Sequence, residues 1–393
     1  MTKPWLGRDL VAEASSHLDV GCAQYFFGAA DREFLMHRNY RAWHRYALEP
    51  KYLDRPKQVT TSAKFGSRAL STPLTIAPIA FQSLLDPTGE PGLAFAAGVA
   101  GVGYTISTRS SRRLSAIAEA FALGQQLVPE EIVGLDEHHR ALVEPWQHER
   151  RGELWLQVYQ TENPEFTTQL INGAAGFGVR AGALTIDTPH LGARYHDQRN
   201  NFSPMDALRQ VLDPVDQDGP AFGDGFSPAE IEQSRDLDFG RFIAECDAAG
   251  LDPIAKGILS LHDLGVIRQA RPGRDPIIPW VSNHGGRQSD LVTTTAEALA
   301  RFASQSRQDT MIVDGGIADP TDALVAIALG AKVVALGRPV MAAFALGGVL
   351  GAMQYLIEFR DQLLSQLTIL GYASPDALAT GSSTRMRTVG DDG

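Results

Sequence analysis

The sequence has few cysteines and few basic residues, and each shortage excludes a class of protein. Its two cysteines, Cys22 and Cys246, stand far apart in a chain of 393 residues, so they can build neither a disulfide framework nor a cysteine-based metal site. Lys and Arg total 35 against 46 Asp and Glu, a formal net charge of −11. This balance argues against nucleic-acid or anionic-lipid partners, although it is compatible with a local basic pocket.

Targeting features are also lacking. The first residues, MTKPWLGRDLVAEASS, have no apolar core of a signal peptide, and we recognise no uncharged run of about 18 apolar residues. Together with the unpaired thiols, this predicts a cytoplasmic protein without a membrane span. Hydrophobic residues nevertheless make up 44% of the chain, which excludes a disordered protein and predicts a large core.

Short apolar runs rich in β-branched residues recur, and segments with the Ala-rich 3.6-residue period of covering helices follow them. The eight runs are PLTIAP (73–78), YTIST (104–108), LWLQVY (154–159), ALTIDT (183–188), PIAKG (253–257), IPWVSN (278–283), MIVDGG (311–316) and KVVALG (332–337). Runs that are apolar on both faces are typical of buried parallel strands. The pattern predicts an α/β protein, a closed (β/α)8 TIM barrel at about 70–345 in a single domain spanning 1–393.

Three segments lie outside this rhythm. Residues 1–70 begin with an amphipathic helical pattern, which predicts an N-terminal helical extension, and two or three helices are expected after residue 340. The fourth and fifth runs stand unusually far apart. Between them, residues 203–236 carry eight acidic against two basic residues and many Gly and Pro, typical of a mobile lid or loop rather than of a barrel unit.

The sharpest motif, SNHGGRQ at 282–288, follows the sixth run directly. It places His284 and Arg287 three residues apart at a strand's carboxyl end, where barrel enzymes have their active site. A histidine suits a base near neutral pH, an arginine fork suits a carboxylate, and adjacent glycines let the backbone approach a flat ligand. The alternative, a helix cap and a surface charge, is disfavoured by this placement.

Further candidate functional residues lie at the ends of other predicted strands. Asp187 follows the fourth run and would lie near enough to His284 to hold its imidazolium, unless it only caps a turn. Lys256 ends an apolar strand, where a lysine is rarely tolerated without an anionic partner, and a purely structural ion pair is the alternative to a role in the site. Asp314-Gly315-Gly316 and Gly337-Arg338 follow the last two runs, where many barrels bind a phosphate.

These motifs resemble the family of FMN-dependent 2-hydroxy acid oxidases and dehydrogenases, such as glycolate oxidase, lactate oxidase and mandelate dehydrogenase. The segments that carry the resemblance fall in the family's order over about residues 20–375: APIAFQ, ISTRSS, LQVYQ, LTIDTPHLGARYHDQRNNF, IAKGIL, VSNHGGRQSD, IVDGGIADPTDALVAIALGA and LGRPV. The resemblance implies an oxidoreductase with bound FMN that converts a small L-2-hydroxy acid to the 2-oxo acid. It also implies a homo-oligomer, a tetramer in family members.

The resemblance assigns roles residue by residue. In catalysis, His284 would be the base, Asp187 would steady its imidazolium, and Tyr159 would hydrogen-bond the substrate. The residues expected to bind substrate are Arg287, Arg194, Gln24 or Tyr25, and Arg109. The residues expected to contact FMN are Ala80, Ser107, Gln157, Thr185, Lys256 and Ser282 around the ring system, and Asp314, Gly316, Gly337 and Arg338 towards the phosphate.

Three positions depart from the family's pattern. Gln24 stands where most members have a substrate-binding tyrosine, and the neighbouring Tyr25 is the alternative. Arg109 occupies a position that is often aromatic, so that the pocket mouth gains a positive charge suited to a larger or doubly anionic substrate. Ala318 replaces a phosphate-binding arginine, which leaves Arg338 and backbone amides to hold FMN.

The sequence leaves several functional alternatives open. The base could take a proton from carbon or from the hydroxyl, and dioxygen is the expected acceptor, although another soluble acceptor is possible. The same chemistry could act on a carrier- or peptide-linked hydroxy or amino acid in a biosynthetic pathway. A weakly catalytic flavin-binding protein is the alternative of another class, and the joint presence of the predicted base, carboxylate and cations argues against it.

Overall fold

The computed structural model describes residues 4–211, 233–305, 310–381 and 386–388. Its N-terminal part contains three helices, α1 (Leu10–His17), α2 (Val20–Phe27) and α3 (Phe34–Trp43). The side chains of Asp9 and Asp19 cap α1 and α2 by accepting backbone N–H groups. Strand β1 (Tyr46–Leu48) and an antiparallel hairpin of β2 (Ala63–Phe65) and β3 (Arg68–Leu70) follow. The helical extension is confirmed, whereas these short strands were not predicted.

A closed barrel of eight parallel strands forms the centre of the protein. The strands are β4 (Leu74–Ile76), β5 (Gly103–Ile106), β6 (Leu154–Val158), β7 (Ala181–Thr185), β8 (Asp252–Ile258), β9 (Ile278–Val281), β10 (Met311–Val313) and β11 (Ala331–Leu336). The barrel closes where β11 pairs with β4. Each strand overlaps one predicted run, which confirms the (β/α)8 fold.

The strands read as continuous apolar runs because both of their faces are buried. Every residue of β5, β6 and β7 is buried. At the amino ends of the strands, Trp155 stacks on Phe65 of the β2–β3 hairpin and meets Trp280 edge to face. The hairpin therefore closes this end of the barrel, and the carboxyl ends remain available for a site.

Helices surround the barrel. They are α4 (Gly89–Ala100), α5 (Leu114–Gln126), α6 (Glu137–Val143), α7 (Pro164–Gly176), α8 (Tyr195–Asn200), α9 (Pro204–Val211), α10 (Phe239–Ala249), α11 (Leu261–Gln269), α12 (Thr295–Gln305), α13 (Pro320–Ala328), α14 (Arg338–Leu370) and α15 (Pro375–Gly381). Helices α4 and α5 approach so closely that a Cβ at Gly98 or Gly124 would collide with a backbone carbonyl of the other helix.

The long segment after β7 differs in part from the predicted loop. Residues 212–232 lie outside the described residues, but residues 204–211 form helix α9, so the expectation of a loop is wrong there. Ser203 supports its first turn by accepting the N–H of Asp206. Leu208 of α9 packs against Phe81, which places this helix beside the carboxyl ends of the strands.

Helix α14 contains an uncharged apolar run of the kind that the sequence analysis did not recognise. Its residues 339–357 include no charged residue. By length and composition this helix could cross a membrane, yet 67% of its most apolar stretch is buried inside the protein. It packs against α1, α4 and α6, which explains its apolar composition. Beyond it, β12 (Met386–Thr388) pairs antiparallel with β1, a contact between distant segments that was not predicted.

Candidate active site

A cavity of about 460 Å³ opens at the carboxyl ends of the barrel strands, a size typical of cofactor and small-molecule sites. The predicted residues that line it are Tyr25, Ala80, Ser107, Arg109, Gln157, Tyr159, Thr185, Arg194, Lys256, His284, Arg287, Asp314, Gly316, Gly337 and Arg338. Asp187 and Ser282 lie behind this lining and contact it. Gln24 is absent from the lining, so the residue of that pair that reaches the cavity is Tyr25.

His284 follows β9 on an unusual backbone. Its φ is 57°, and Gly285 and Gly286 continue in the left-handed region, which only the glycines adopt without Cβ strain. Its N–H donates to the Ser282 hydroxyl, and its Nδ1 lies 3.2 Å from Oδ1 of Asp187. Strain of this kind concentrates at functional sites, and the contact to Asp187 leaves Nε2 as the ring nitrogen free to face a ligand.

The electrostatics favour a neutral imidazole beside an ionised carboxylate. Burial lowers the pKa of His284, and the charges of Lys256 and Arg287 add to this, while Asp187 opposes it. Burial works to raise the pKa of Asp187, but His284 and Lys256 outweigh it and lower that pKa below its usual value. The pair is therefore a base with an adjacent anion that can stabilise its protonated form.

Two arginines reach the cavity near this pair. Nη1 of Arg287 donates to the carbonyls of Tyr25 and Gly28, and burial, with the charge of Arg194, lowers its pKa to about 9. It therefore remains charged at neutral pH. Arg194 lies 3.9 Å from Asp197 through Nη1, and its buried Nε has no hydrogen-bond partner among the described residues. Both guanidinium groups keep N–H donors that suit a carboxylate.

Two phenols complete this wall of the cavity. Burial, together with the charge of Asp187, raises the pKa of Tyr159 to about 12, and burial also raises the pKa of Tyr25. Both side chains are therefore protonated at neutral pH and can donate a hydrogen bond to a ligand oxygen.

The cation expected at the end of β8 is in place. Lys256 is only 4% exposed, and its Nζ donates to Ser282 Oγ at 2.9 Å and lies 3.3 Å from Asp314 Oδ2. Ser282 in turn donates to Asp314 at 2.7 Å. The predicted requirement for an anionic partner is thus met by an ion pair within the protein, and Lys256 still lines the cavity.

An amide and a hydroxyl face the same space in a fixed orientation. Nε2 of Gln157 donates to Thr185 at 3.0 Å, while its Oε1 accepts the backbone N–H of Thr108. Because both ends of the amide are engaged, the side chain presents one hydrogen-bonding edge rather than rotating. Such a constellation suits the polar edge of a flat heterocycle.

The loops after β10 and β11 form the opposite end of the cavity. Gly315 and Gly316 have positive φ, and a Cβ at Gly316 would collide with the backbone of Asn39. Gly337 lines the cavity, and a Cβ there would enter open space, at the N-terminus of the long helix α14. Open room, glycines and a helix N-terminus together fit the phosphate of a mononucleotide.

Arg338 lies at this end but has other partners. Its guanidinium donates to the carbonyls of Phe27, Gly28 and Gly285 at 3.0, 2.7 and 3.0 Å. It thereby ties the end of α2 to the loop that carries His284, and two of its five N–H donors remain for a phosphate. The sequence predicted only the phosphate role.

Sequence reasoning missed several lining residues. They include Phe81, Leu191, Asp197, Met205 and Gln233. Leu191 and Asp197 lie in the motif LTIDTPHLGARYHDQRNNF, so their position close to Arg194 was the available signal. Met205 and Gln233 reach the cavity through the long segment after β7, for which local pattern gave no signal.

A substitution at Gly337 tests the assignment of the phosphate end. Gly337→Leu is expected to weaken FMN binding tenfold or more, because its side chain would occupy the open space that the phosphate needs, and overfilling a site costs about 1–3 kcal/mol. Gly337→Ala makes the same demand on the backbone with a smaller side chain and should bind more tightly than the leucine variant. Fluorescence titration of the apoproteins with FMN, with circular dichroism as the check on folding, measures this. A leucine variant that binds like the parent would place the cofactor elsewhere.

Comparison with known proteins agrees with this geometry. The model of the family described as FMN-dependent dehydrogenase matches residues 14–385. The 2-hydroxyacid oxidase 2 of Homo sapiens is 31% identical over 373 residues, covering 93% of this chain and 94% of its own. The 4-hydroxymandelate oxidase of Amycolatopsis orientalis is 30% identical and covers 97% of both chains. A solved mandelate oxidase with a fluorinated hydroxy acid is 29% identical, with a TM-score of 0.75 over 95% of this chain and 96% of that one.

Proposed function

The chain belongs to the family of FMN-dependent dehydrogenases, and from this premise we propose that it oxidises an L-2-hydroxy acid with His284 as the base and dioxygen as the final electron acceptor. The predicted class, an FMN-dependent oxidoreductase acting on CH–OH groups, is confirmed by this membership. The observation that carries the proposal is the His284–Asp187 pair, which faces a cavity that also contains Arg194 and Arg287.

The side chains divide the work on the substrate. Arg194 and Arg287 hold the carboxylate, and the phenols of Tyr25 and Tyr159 donate to substrate oxygens. Nε2 of His284 accepts a proton from the α-carbon or the hydroxyl, and Asp187 stabilises the resulting imidazolium. Conversion of the alcohol to the ketone removes two electrons and two protons. His284 takes one proton, which leaves the two electrons and the other proton for bound FMN.

The cofactor is held by residues already described. Bound FMN supplies the two-electron acceptor that no side chain can provide. Lys256 would place its charge beside the ring system, where Ser107, Gln157 and Thr185 offer polar groups. Gly337 and the N-terminus of α14 would hold the phosphate, with the remaining N–H donors of Arg338.

The choice of dioxygen is supported by the two relatives compared above, both of which are named oxidases. One hydroxy acid and one dioxygen would give one oxo acid and one hydrogen peroxide. An oxygen electrode and a peroxide assay on the same sample measure this ratio. Slow oxygen consumption alongside fast reduction of an artificial acceptor would replace dioxygen with another acceptor and leave the oxidation of the hydroxy acid intact.

The decisive experiment is anaerobic mixing of the yellow holoprotein with a panel of L-2-hydroxy acids. We expect loss of the visible flavin absorbance with at least one acid and none with its D-isomer. If no acid of the panel, short or long, reduces the flavin, the proposed reaction is wrong for this protein.

The pH dependence tests the role of His284. Because the folded site holds its pKa below the usual value of a histidine, kcat/KM should be flat at neutral pH and fall as the pH drops through that lower pKa. Asp187 raises the pKa of His284, so Asp187→Asn should move the fall to still lower pH. Steady-state rates of both proteins between pH 4 and about 9 give the profiles. A fall that stays at the same pH in the variant would remove His284 from the base role.

We also propose that the protein is a cytoplasmic homo-oligomer built from one domain per chain. Burial of Cys22 and Cys246, neither of which forms a disulfide, supports a reducing compartment. Light scattering coupled to size-exclusion chromatography measures the number of chains per particle.

A further inference from the structure

Within the described part of the chain, Arg109 is a cavity-lining cation whose guanidinium has neither an ion pair nor a hydrogen bond. The other cations around the cavity have oxygen partners: Lys256 has Asp314, Arg194 has Asp197, and Arg287 and Arg338 have backbone carbonyls. An arginine facing a cavity without such a partner keeps five N–H donors for a ligand. Its charge is therefore available for recognition.

Two hydrogen bonds hold the backbone of Arg109, and its side chain lies at the mouth of the cavity. Its N–H donates to the Ser107 hydroxyl, and its carbonyl accepts the N–H of Phe81, so the backbone is held on both sides. Its guanidinium lies 5.7 Å from the centre of the Tyr159 ring, at the exposed mouth of the cavity. Its charge acts on the phenols of Tyr25 and Tyr159, so it shares the electrostatic environment of the inner site.

Apolar side chains also line the cavity that Arg109 shares with the inner cations. They include Phe81, Leu191 and Met205. A ligand that satisfies this arrangement has a carboxylate for Arg194 and Arg287, a few methylene groups, and a second anion for Arg109.

We infer that Arg109 recognises a second anionic group at the far end of the substrate, so that the substrate class is a 2-hydroxy acid with an additional terminal carboxylate or phosphate. The inference rests on the proposed function, because it requires the first carboxylate at Arg194 and Arg287. With a monoacid, the Arg109 guanidinium gains no anionic partner. With a diacid, it gains a charge-assisted hydrogen bond, which salt weakens because the mouth is open to solvent.

The test compares acids of matched chain length on the holoprotein. The carboxylate pairs are L-malate with L-2-hydroxybutyrate, L-2-hydroxyglutarate with L-2-hydroxyvalerate, and L-2-hydroxyadipate with L-2-hydroxyhexanoate. A parallel pair, L-glycerate and its 3-phosphate, distinguishes a phosphate from a carboxylate as the second anion. We expect a preference in kcat/KM of about tenfold or more for the doubly anionic member of at least one pair, and a smaller preference at high ionic strength.

The variants isolate Arg109 from general charge effects. Arg109→Gln should lower the ratio of doubly to singly anionic substrate about tenfold, and Arg109→Lys should retain part of it. Arg113→Gln is the matched control: Arg113 is an exposed arginine four residues along the same loop and outside the cavity lining, so the ratio should be unchanged.

Two results would overturn the inference. One is a parent enzyme whose kcat/KM shows no preference for the doubly anionic member of any pair. The other is an Arg109→Gln variant whose kcat/KM falls equally for both members of a pair. Either result leaves the proposed function standing as long as monoacids reduce the flavin. If neither kind of acid reduces the flavin, the proposed function itself fails.

Discussion

Replacement of His284 by glutamine is expected to slow flavin reduction at least about a thousandfold while FMN stays bound. A positioned base contributes roughly 10² to 10⁴ in rate, and its loss also deprives the Asp187 carboxylate of its hydrogen-bond partner. The FMN contacts proposed for Lys256 and Gly337 do not involve His284, which is why cofactor binding should survive. Anaerobic stopped-flow absorbance with the best acid of the panel measures the reduction rate directly.

The matched control for this variant is His262→Gln, which removes an exposed histidine on α11 outside the cavity. It should reduce its flavin at the parent rate. A His284→Gln protein that keeps near-parent rates would show that the base lies elsewhere, and the mechanism would then have to be rebuilt around another side chain. Flavin content, read from the visible spectrum of each preparation, separates a lost base from a lost cofactor.

Replacement of Lys256 by methionine is expected to have two separate effects. Removal of the charge at the proposed flavin site should lower the reduction potential of the flavin and weaken sulfite binding, since a nearby cation stabilises both the anionic reduced flavin and the sulfite adduct. It should also destabilise the fold by about 3–5 kcal/mol, the usual cost of removing one partner of a buried ion pair. The second effect arises because Asp314 is only 7% exposed and, among the described residues, its carboxylate would keep only Ser282 as its partner.

The double variant Lys256→Met with Asp314→Asn separates these effects. It removes the unpaired carboxylate, so the free energy of unfolding should recover towards that of the parent, while sulfite binding stays weak. Denaturant titration gives the first quantity and spectrophotometric titration with sulfite the second. Unchanged sulfite affinity in both variants would place Lys256 away from the flavin, and full stability of the single variant would mean that the ion pair contributes little.

Much of the fold was predictable because its signals are local. Each barrel strand is a short run buried on both faces, so its residues are mostly apolar and the run can be recognised from its composition. The same locality explains the failures. Helix α9 lies in a segment rich in Gly and Pro whose mean composition indicated a loop, although Met205 and Leu208 have helical spacing. Residues 339–357 were not recognised as an uncharged apolar stretch, because glycines interrupt the run and a core helix differs little from a membrane span in composition.

In the candidate site, too, some positions were predictable from the sequence and others were not. The placement of His284, Asp187 and Lys256 at strand ends follows from the chain alone, since the carboxyl ends of parallel strands meet at one face of a barrel. The choice between Gln24 and Tyr25 depends on which side of α2 faces the barrel. The partners of Arg338 depend on how that helix is seated, and no local pattern encodes this.

By itself, the sequence therefore determined a (β/α)8 barrel with a cluster of base, carboxylate and cations at one end, and a resemblance to FMN-dependent enzymes. Only the tertiary structure decided how those charges are shared: Lys256 pairs with Asp314, Arg287 and Arg338 bind carbonyls at the end of α2, and Arg109 keeps its donors. The physical reason is that residue type sets which interactions a side chain can make. Its partner, however, is selected by contacts between segments distant in the chain, which form only when the barrel closes.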